Sequence, residues 1–218
     1  MKKKTAIAIL LLIVLTSYNP KNKISITKFN LKEIKIENNF LLEENDLKRS
    51  LIPIYNKNLI FLKNSEIKEI LMRNSFIDSY NLKKKYPDTL KTEIFEKKPI
   101  AIISNKKKKF YLSDKVELID FKNLPNHEKL PYIYGNINNF RVFYKDLKKI
   151  NFPLDQIKKY ILLETNRWDL ETSDGKTIKL PVENYTLSLK NYLIIKKENN
   201  FKNYNFFDYR IANQLILK

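Results

Sequence analysis

Tyr86-Pro-Asp-Thr-Leu-Lys-Thr-Glu-Ile-Phe-Glu-Lys-Lys-Pro-Ile-Ala-Ile-Ile103 is the stretch whose reading decides the fold. Tyr86-Pro87-Asp88 is turn chemistry, because proline presets φ and the aspartate can hydrogen-bond its own backbone. Before it lies Phe76-Ile77-Asp78-Ser79-Tyr80-Asn81-Leu82, and after it Leu90, Thr92 and Ile94 alternate with Lys91, Glu93 and Phe95. Two extended runs around a tight polar turn predict an antiparallel hairpin. Pro99, which offers no N–H to a ladder, is expected to end the paired part of the second run.

The residues upstream predict the rest of a small α+β domain. Alternation over Leu31–Glu37 predicts a strand closed by Asn38-Asn39. A short helix follows from about Glu43, with acidic residues in its first turn, Leu47 and Leu51 as its apolar stripe and Pro53 limiting it. A second helix starts near Asn64-Ser65, either of which can cap it, with Ile67, Ile70 and Leu71 at i, i+3 and i+4. The predicted order is strand, helix, helix, strand, strand.

That order and these residues resemble a POTRA domain, and most closely the one in the FtsQ/DivIB family of bacterial cell-division proteins. The pieces that carry the resemblance are Ile34-Lys-Ile36, Asn58-Leu-Ile-Phe-Leu62, Phe76-Ile77, the proline turn with Leu90, and Glu96-Lys97-Lys98-Pro99-Ile100-Ala101. In that family the last motif closes the POTRA domain and leads into a second, β-rich domain. The resemblance therefore implies a POTRA domain over 29–101 and a β-domain over 102–218, with an antiparallel sheet and flanking helices.

Downstream the pattern is mostly strands. Phe110-Tyr111-Leu112 and Val116–Ile119 flank a Ser113-Asp114-Lys115 turn, and Leu130–Gly135 is extended. A helix is expected over Val142–Ile150, and another helical turn from Pro153 with Leu154 and Ile157. Tyr160–Glu164 and Arg167–Glu171 read as strands, and Asp174-Gly175 is a strong hairpin turn into Lys176–Pro181. Leu187, Tyr192 and Leu193 predict a helix before closing strands at Phe206–Ile211 and Gln214–Leu217. Here too the chain resembles the family, through Arg167-Trp168-Asp169-Leu170, Asp174-Gly175, Leu180-Pro181, Leu130–Gly135 and Asp208-Tyr209-Arg210. Tyr209 stands where that family usually has leucine.

The N-terminus sets topology. Met1-Lys2-Lys3-Lys4 precedes an uncharged run from Thr5 that continues to Tyr18. That is short beside the roughly 17–25 apolar residues of a full span. The residues alone leave open a cleaved export signal, whose ordinary form is a few lysines and a brief apolar run. Against cleavage, Leu15-Thr-Ser-Tyr-Asn-Pro20 holds no alanine-based processing site. With the family resemblance the expectation is a retained anchor over 5–22 and a cytoplasmic tail over 1–4. Tyr18 would then lie at the far interface, with the remainder periplasmic at the inner membrane.

Composition excludes more than it assigns. The chain has 218 residues, 43% of them apolar, enough for two small domains or one large one with a real core. Cysteine is absent, so disulfides and thiolate metal sites are ruled out. The formal charge of +18 goes with lysine, asparagine and isoleucine throughout and only two glycines, a drift toward A/T-rich codons rather than a nucleic-acid footprint. Lys106–Lys109 reads as a solvated hairpin turn, with no phosphate loop beside it. The single histidine, His127, reads as a loop surface residue, and no serine–histidine–acid set can be assembled around it. Asp169 beside Trp168 reads as an outward aspartate next to a sheet-packing tryptophan, not as a glycosidase acid.

The resemblance implies a non-catalytic, cofactor-free division scaffold. It would link early and late components of the septal machinery, binding FtsB and FtsL and, through them, the septal peptidoglycan synthase. It assigns partner contact to Arg210, Ile211, Asn213, Leu215 and Leu217, on a C-terminal strand expected at the edge of the sheet. Neither a nucleic acid nor a small-molecule substrate is implied. The alternatives are a POTRA-containing transport or assembly factor and a periplasmic enzyme or binding module. The first lacks repeated units or a long barrel-strand series, and the second lacks a cleft residue set.

Overall fold

The computed structural model describes residues 2–17, 26–105, 108–125, 127 and 129–218. Helix α1 covers Lys2–Ser17. The expected anchor over 5–22, with Tyr18 at an interface, falls in part, over 18–22, outside the described residues. Among the described residues no helix is long and apolar enough to cross a membrane. Contacts divide the chain into two compact units, 1–38 with 44–71 and 81–93, and 39–43 with 72–80 and 94–218.

Upstream of Pro99 the predicted order holds: β1 (Glu33–Glu37), α2 (Glu44–Ser50), a 3-10 turn at Ile52–Ile54, α3 (Asn64–Leu71), β2 (Ile77–Lys85) and β3 (Thr89–Glu96). The three strands form one sheet in the order β1-β3-β2, with β1 and β3 parallel and Ile34 beside Leu90. Ile34, Leu47, Leu51, Ile67, Leu71 and Leu90 are buried. Two boundaries differ from expectation. β1 starts at Glu33 rather than Leu31, because Leu31 already exchanges backbone bonds with Lys57 and Asn56. Asn64 is the first residue of α3 and not its cap, and the Glu66 N–H bonds the Lys63 carbonyl instead.

From Pro99 onward the elements are β4 (Pro99–Asn105), β5 (Lys108–Ser113), β6 (Leu118–Asp120), β7 (Tyr132–Tyr134), α4 (Ile137–Lys149), β8 (Ile157–Leu162), β9 (Trp168–Thr172), β10 (Thr177–Lys179), α5 (Tyr185–Ile195), β11 (Phe206–Asp208) and β12 (Ile216–Leu217). They build one nine-stranded sheet in the order β12-β11-β10-β9-β8-β7-β4-β5-β6. It is mixed, not antiparallel as expected. β7 lies parallel to both β4 and β8, and β10 lies parallel to β11. Parallel neighbours need a crossover, and α4 and α5 supply two of them. Phe140, Phe143 and Leu147 of α4 and Leu189 and Tyr192 of α5 join Ile133, Tyr160, Leu170, Ile178 and Phe207 in one core.

Other expectations are corrected in detail. Pro99 opens β4 instead of ending β3, a place where its missing N–H breaks no ladder. α4 begins five residues before Val142, because the Asn136 side chain accepts the Asn139 N–H at 2.8 Å and caps it. After Pro153 there is only a 3-10 turn, and Ile157 already belongs to β8. Leu187 is exposed, and Leu189 with Tyr192 forms the buried face of α5. The closing strands are shorter than expected, and the lysine turn's Lys106 and Lys107 lie outside the described residues.

The Glu96-Lys97-Lys98-Pro99 motif has a physical role. The Glu96 carboxylate accepts the backbone N–H groups of Phe40, Leu41 and Leu42 at 3.1, 2.7 and 2.9 Å. Lys97 donates its backbone N–H to Phe76 O and pairs its ammonium with Glu117 at 2.8 Å. Glu96→Ala removes the acceptor from three backbone donors, of which that of buried Leu42 is least open to water, and should cost about 2 kcal/mol, since an unmet buried donor costs about 1–3. Glu96→Gln keeps an acceptor and should cost less than half of that. Urea unfolding of both variants checks it, and equal midpoints for Glu96→Ala and the parent would refute the role.

Candidate partner-binding site

Among the described residues, strand β12 is the outermost of the nine-stranded sheet and bonds to β11 alone. Phe206 and Lys218 exchange both backbone bonds, the Lys218 N–H to Phe206 O at 3.2 Å and the Phe206 N–H to Lys218 O at 3.0 Å. In an antiparallel ladder bonded and non-bonded pairs alternate, so Leu217, opposite Phe207, turns its own N–H and C=O away from β11. Those groups face the open edge. The Leu217 side chain, like that of Leu215, packs against the core on the helix-covered face. Ile216 is on the opposite face and 40% exposed.

The chain reaches this edge through Tyr209–Leu215. The Tyr209 N–H bonds Lys179 O at 2.9 Å, and its hydroxyl bonds Asn191 of α5 at 3.0 Å. Asn213 adopts a left-handed φ of 60°, which asparagine tolerates better than most residues, and the Gln214 N–H bonds Ile211 O at 3.2 Å. Asn213 thus shapes the turn into β12. Ile211 is 51% exposed. Between this segment and α5 lies a cleft of about 520 Å³, lined among others by Pro181, Leu187, Asn191, Arg210, Ile211 and Leu215.

Arg210 is already engaged. Its Nε lies 2.8 and 2.9 Å from the two oxygens of Asp208, its Nη2 also bonds that carboxylate, and its backbone N–H donates to Asp208 Oδ1 at 3.0 Å. The hydrogen bonds from Arg210 hold the buried Asp208 carboxyl below the usual range, and the same contact raises Arg210. Asp169, expected to face outward into water, is buried instead, with Arg167 Nε 3.4 Å from its Oδ1. Desolvation pushes its carboxyl up, against the pull of Arg167. Trp168 packs in the core, stacked on Phe143 at 4.8 Å, as expected of a sheet-packing tryptophan.

Four of the five expected contact residues, Arg210, Ile211, Asn213 and Leu215, therefore line one cleft, and the backbone of the fifth, Leu217, lines the neighbouring edge. Asp208, Ile216 and the α5 side of the cleft were not anticipated. Positions 208 and 210 are two apart on an extended chain and so share a face, a spacing that could have revealed the pair. The arrangement offers an unpaired ladder, an exposed aliphatic rim and a half-exposed guanidinium, the elements of strand addition. His127 sits elsewhere, its ring edge-on to Tyr111 at 6.2 Å.

The "POTRA domain, FtsQ-type" family matches residues 29–97, and the "Cell division protein FtsQ/DivIB, C-terminal" family matches residues 101–210. The cell division protein FtsQ of Rickettsia bellii is 25% identical over 194 residues, covering 87% of this chain and 72% of its own length. That of Rickettsia felis is 26% identical over 196 residues, with the same 87% and 72% coverage. A solved structure of the major extracytoplasmic domain of the cell-division protein DivIB from Geobacillus stearothermophilus is 14% identical, with a TM-score of 0.33 over 50% of this chain and 98% of that one. That likeness is too distant to bear on the fold. The C-terminal match alone takes in about half of the sequence, and the chain belongs to the FtsQ/DivIB family of cell-division proteins.

Proposed function

We propose that this protein is a bitopic, non-catalytic scaffold of septum assembly. It recruits FtsB and FtsL, and through them the septal peptidoglycan synthase, by accepting a strand on the edge of β12. The single observation that supports this most is the outward N–H and C=O of Leu217 at the edge strand, beside the cleft that holds Arg210, Ile211 and Leu215. The roles divide by chemistry. The backbone over 213–217 supplies the ladder and Asn213 its turn. Ile211 and Ile216 give apolar contact, whereas the leucine side chains brace the strand from the core. Arg210, aimed by Asp208, meets a partner carboxylate.

In the same reading the chain is a retained inner-membrane protein. It has a cytoplasmic tail over 1–4, an anchor over 5–22, a POTRA domain over 29–101 and a β-domain over 102–218. Outside the tail, α1 runs over 5–17, about 20 Å of helix against a hydrocarbon core near 30 Å, so in this reading the anchor continues past Ser17.

Arg210→Glu is a poor probe, because it sets a second carboxylate against buried Asp208 and injures the fold itself. Leu217→Pro instead removes one outward donor and leaves the Phe206–Lys218 pair in place. With unfolding midpoints measured alongside, Leu217→Pro should weaken binding of the cognate FtsB ectodomain at least roughly tenfold, and Ile211→Asp should weaken it similarly. Full affinity in a folded Leu217→Pro variant removes the site. For the anchor, intact-mass measurement on protein from membranes should find Met1–Lys4 present. Loss of about twenty N-terminal residues with release to the periplasm would contradict it.

A further inference from the structure

A second exposed patch lies where the chain enters the first compact unit. The Leu59 N–H bonds Phe29 O at 2.7 Å, and Asn30 bridges Asn58, so the segment Asn58–Leu62 is fastened to the residues that begin the unit. Phe29 meets Tyr86 edge-on with ring centroids 6.3 Å apart. Around this point Phe61 is 72% exposed, Tyr86 57% and Ile60 46%. The core does not use them. Lysines surround them: Lys28, Lys63 and Lys85 are exposed, and Lys84 donates its ammonium to Leu62 O at 2.6 Å. The nearby carboxylates are already paired, Glu66 with Lys57 at 2.7 Å and Asp88 with Lys32 at 3.8 Å.

We propose that Phe61, Ile60 and Tyr86 with the flanking lysines form a lipid-surface contact, seating this unit on the anionic headgroups of the bilayer that holds α1. The inference rests on the retained-anchor reading. Two observations choose lipid over a protein partner. Residues 18–25 are all that separate α1 from the 3-10 turn Ile26–Phe29, and eight residues reach at most about 30 Å even when extended. The patch begins at the end of that tether, so it stays within reach of the bilayer surface. Its composition also matches an interface: aromatic and aliphatic groups that partition to headgroup depth, ringed by long-stemmed cations drawn to acidic lipid.

The test uses the full chain reconstituted into phosphatidylcholine–phosphatidylglycerol vesicles carrying a nitroxide near the headgroup. Phe61→Trp and, separately, Tyr86→Trp place an indole in the patch. The parent's one tryptophan, Trp168, is buried in the core and gives the background. The expected result is a blue shift and a loss of the added emission at both positions, with the parent unchanged. Retention of the chain in the vesicles after alkaline extraction is read in parallel. Retained chain with unquenched indoles overturns the lipid contact and leaves the anchor standing. Chain lost from the vesicles overturns the anchor and this inference with it. A shift that appears only when another protein is added also overturns it, and makes the patch a protein contact.

Discussion

Strand β10 has two sides, and how they are filled governs where the chain ends. The Asp174-Gly175 hairpin fills one side with β9, and Gly175, at φ 84°, permits so tight a return. The crossover through α5 brings β11 parallel onto the other. The hairpin from β11 then has one direction left, and β12 becomes the edge. The strand addition proposed at this edge follows from that, because an edge strand keeps ladder groups unpaired. Leu189 and Tyr192 of α5, buried against Ile178 and Phe207, hold the crossover in place.

An open edge is also a hazard, and the structure limits it. β12 is only two residues long, so it offers little to chance pairing. The turn before it is fixed by the Asp208 carboxylate, which takes both the backbone N–H and the guanidinium of Arg210. That carboxylate is ionised in its pair and contributes stability above the ordinary carboxylate range, which is lost as pH falls through its lowered value. The same ion pair aims Arg210 at the cleft. One buried aspartate thereby sets both the turn before the edge and the placing of Arg210.

Much of this was legible in the residues. The strand–helix–helix–strand–strand order was readable because each element is long enough to show its period, and the proline turn marked the hairpin. The nine-stranded sheet was harder. β7, β10 and β11 have three residues each, too few to tell parallel from antiparallel by pattern, so an antiparallel sheet was the natural expectation. The start of α4 is written in a polar cap, Asn136, and not in the apolar period around Val142. A missing N–H marks a strand's first residue as well as its last, so Pro99 alone does not say which end of a strand it occupies. For the candidate site, the motif pointed to the segment 208–217, but the direction of its side chains was hidden. Only the register shows that Leu215 and Leu217 point their side chains inward, that Ile216 points out, and that Asp208 claims Arg210.

The central claim, that β12 accepts a partner strand through its outward backbone groups, is tested most directly by hydrogen–deuterium exchange at single-residue resolution, with and without the cognate FtsB ectodomain. The Leu217 amide, which has no ladder partner in β11, should exchange quickly in the isolated protein and become protected in the complex, while the Lys218 amide, bonded to Phe206, is slow in both. A complex that forms with the Leu217 amide still exchanging at its unbound rate would contradict the account.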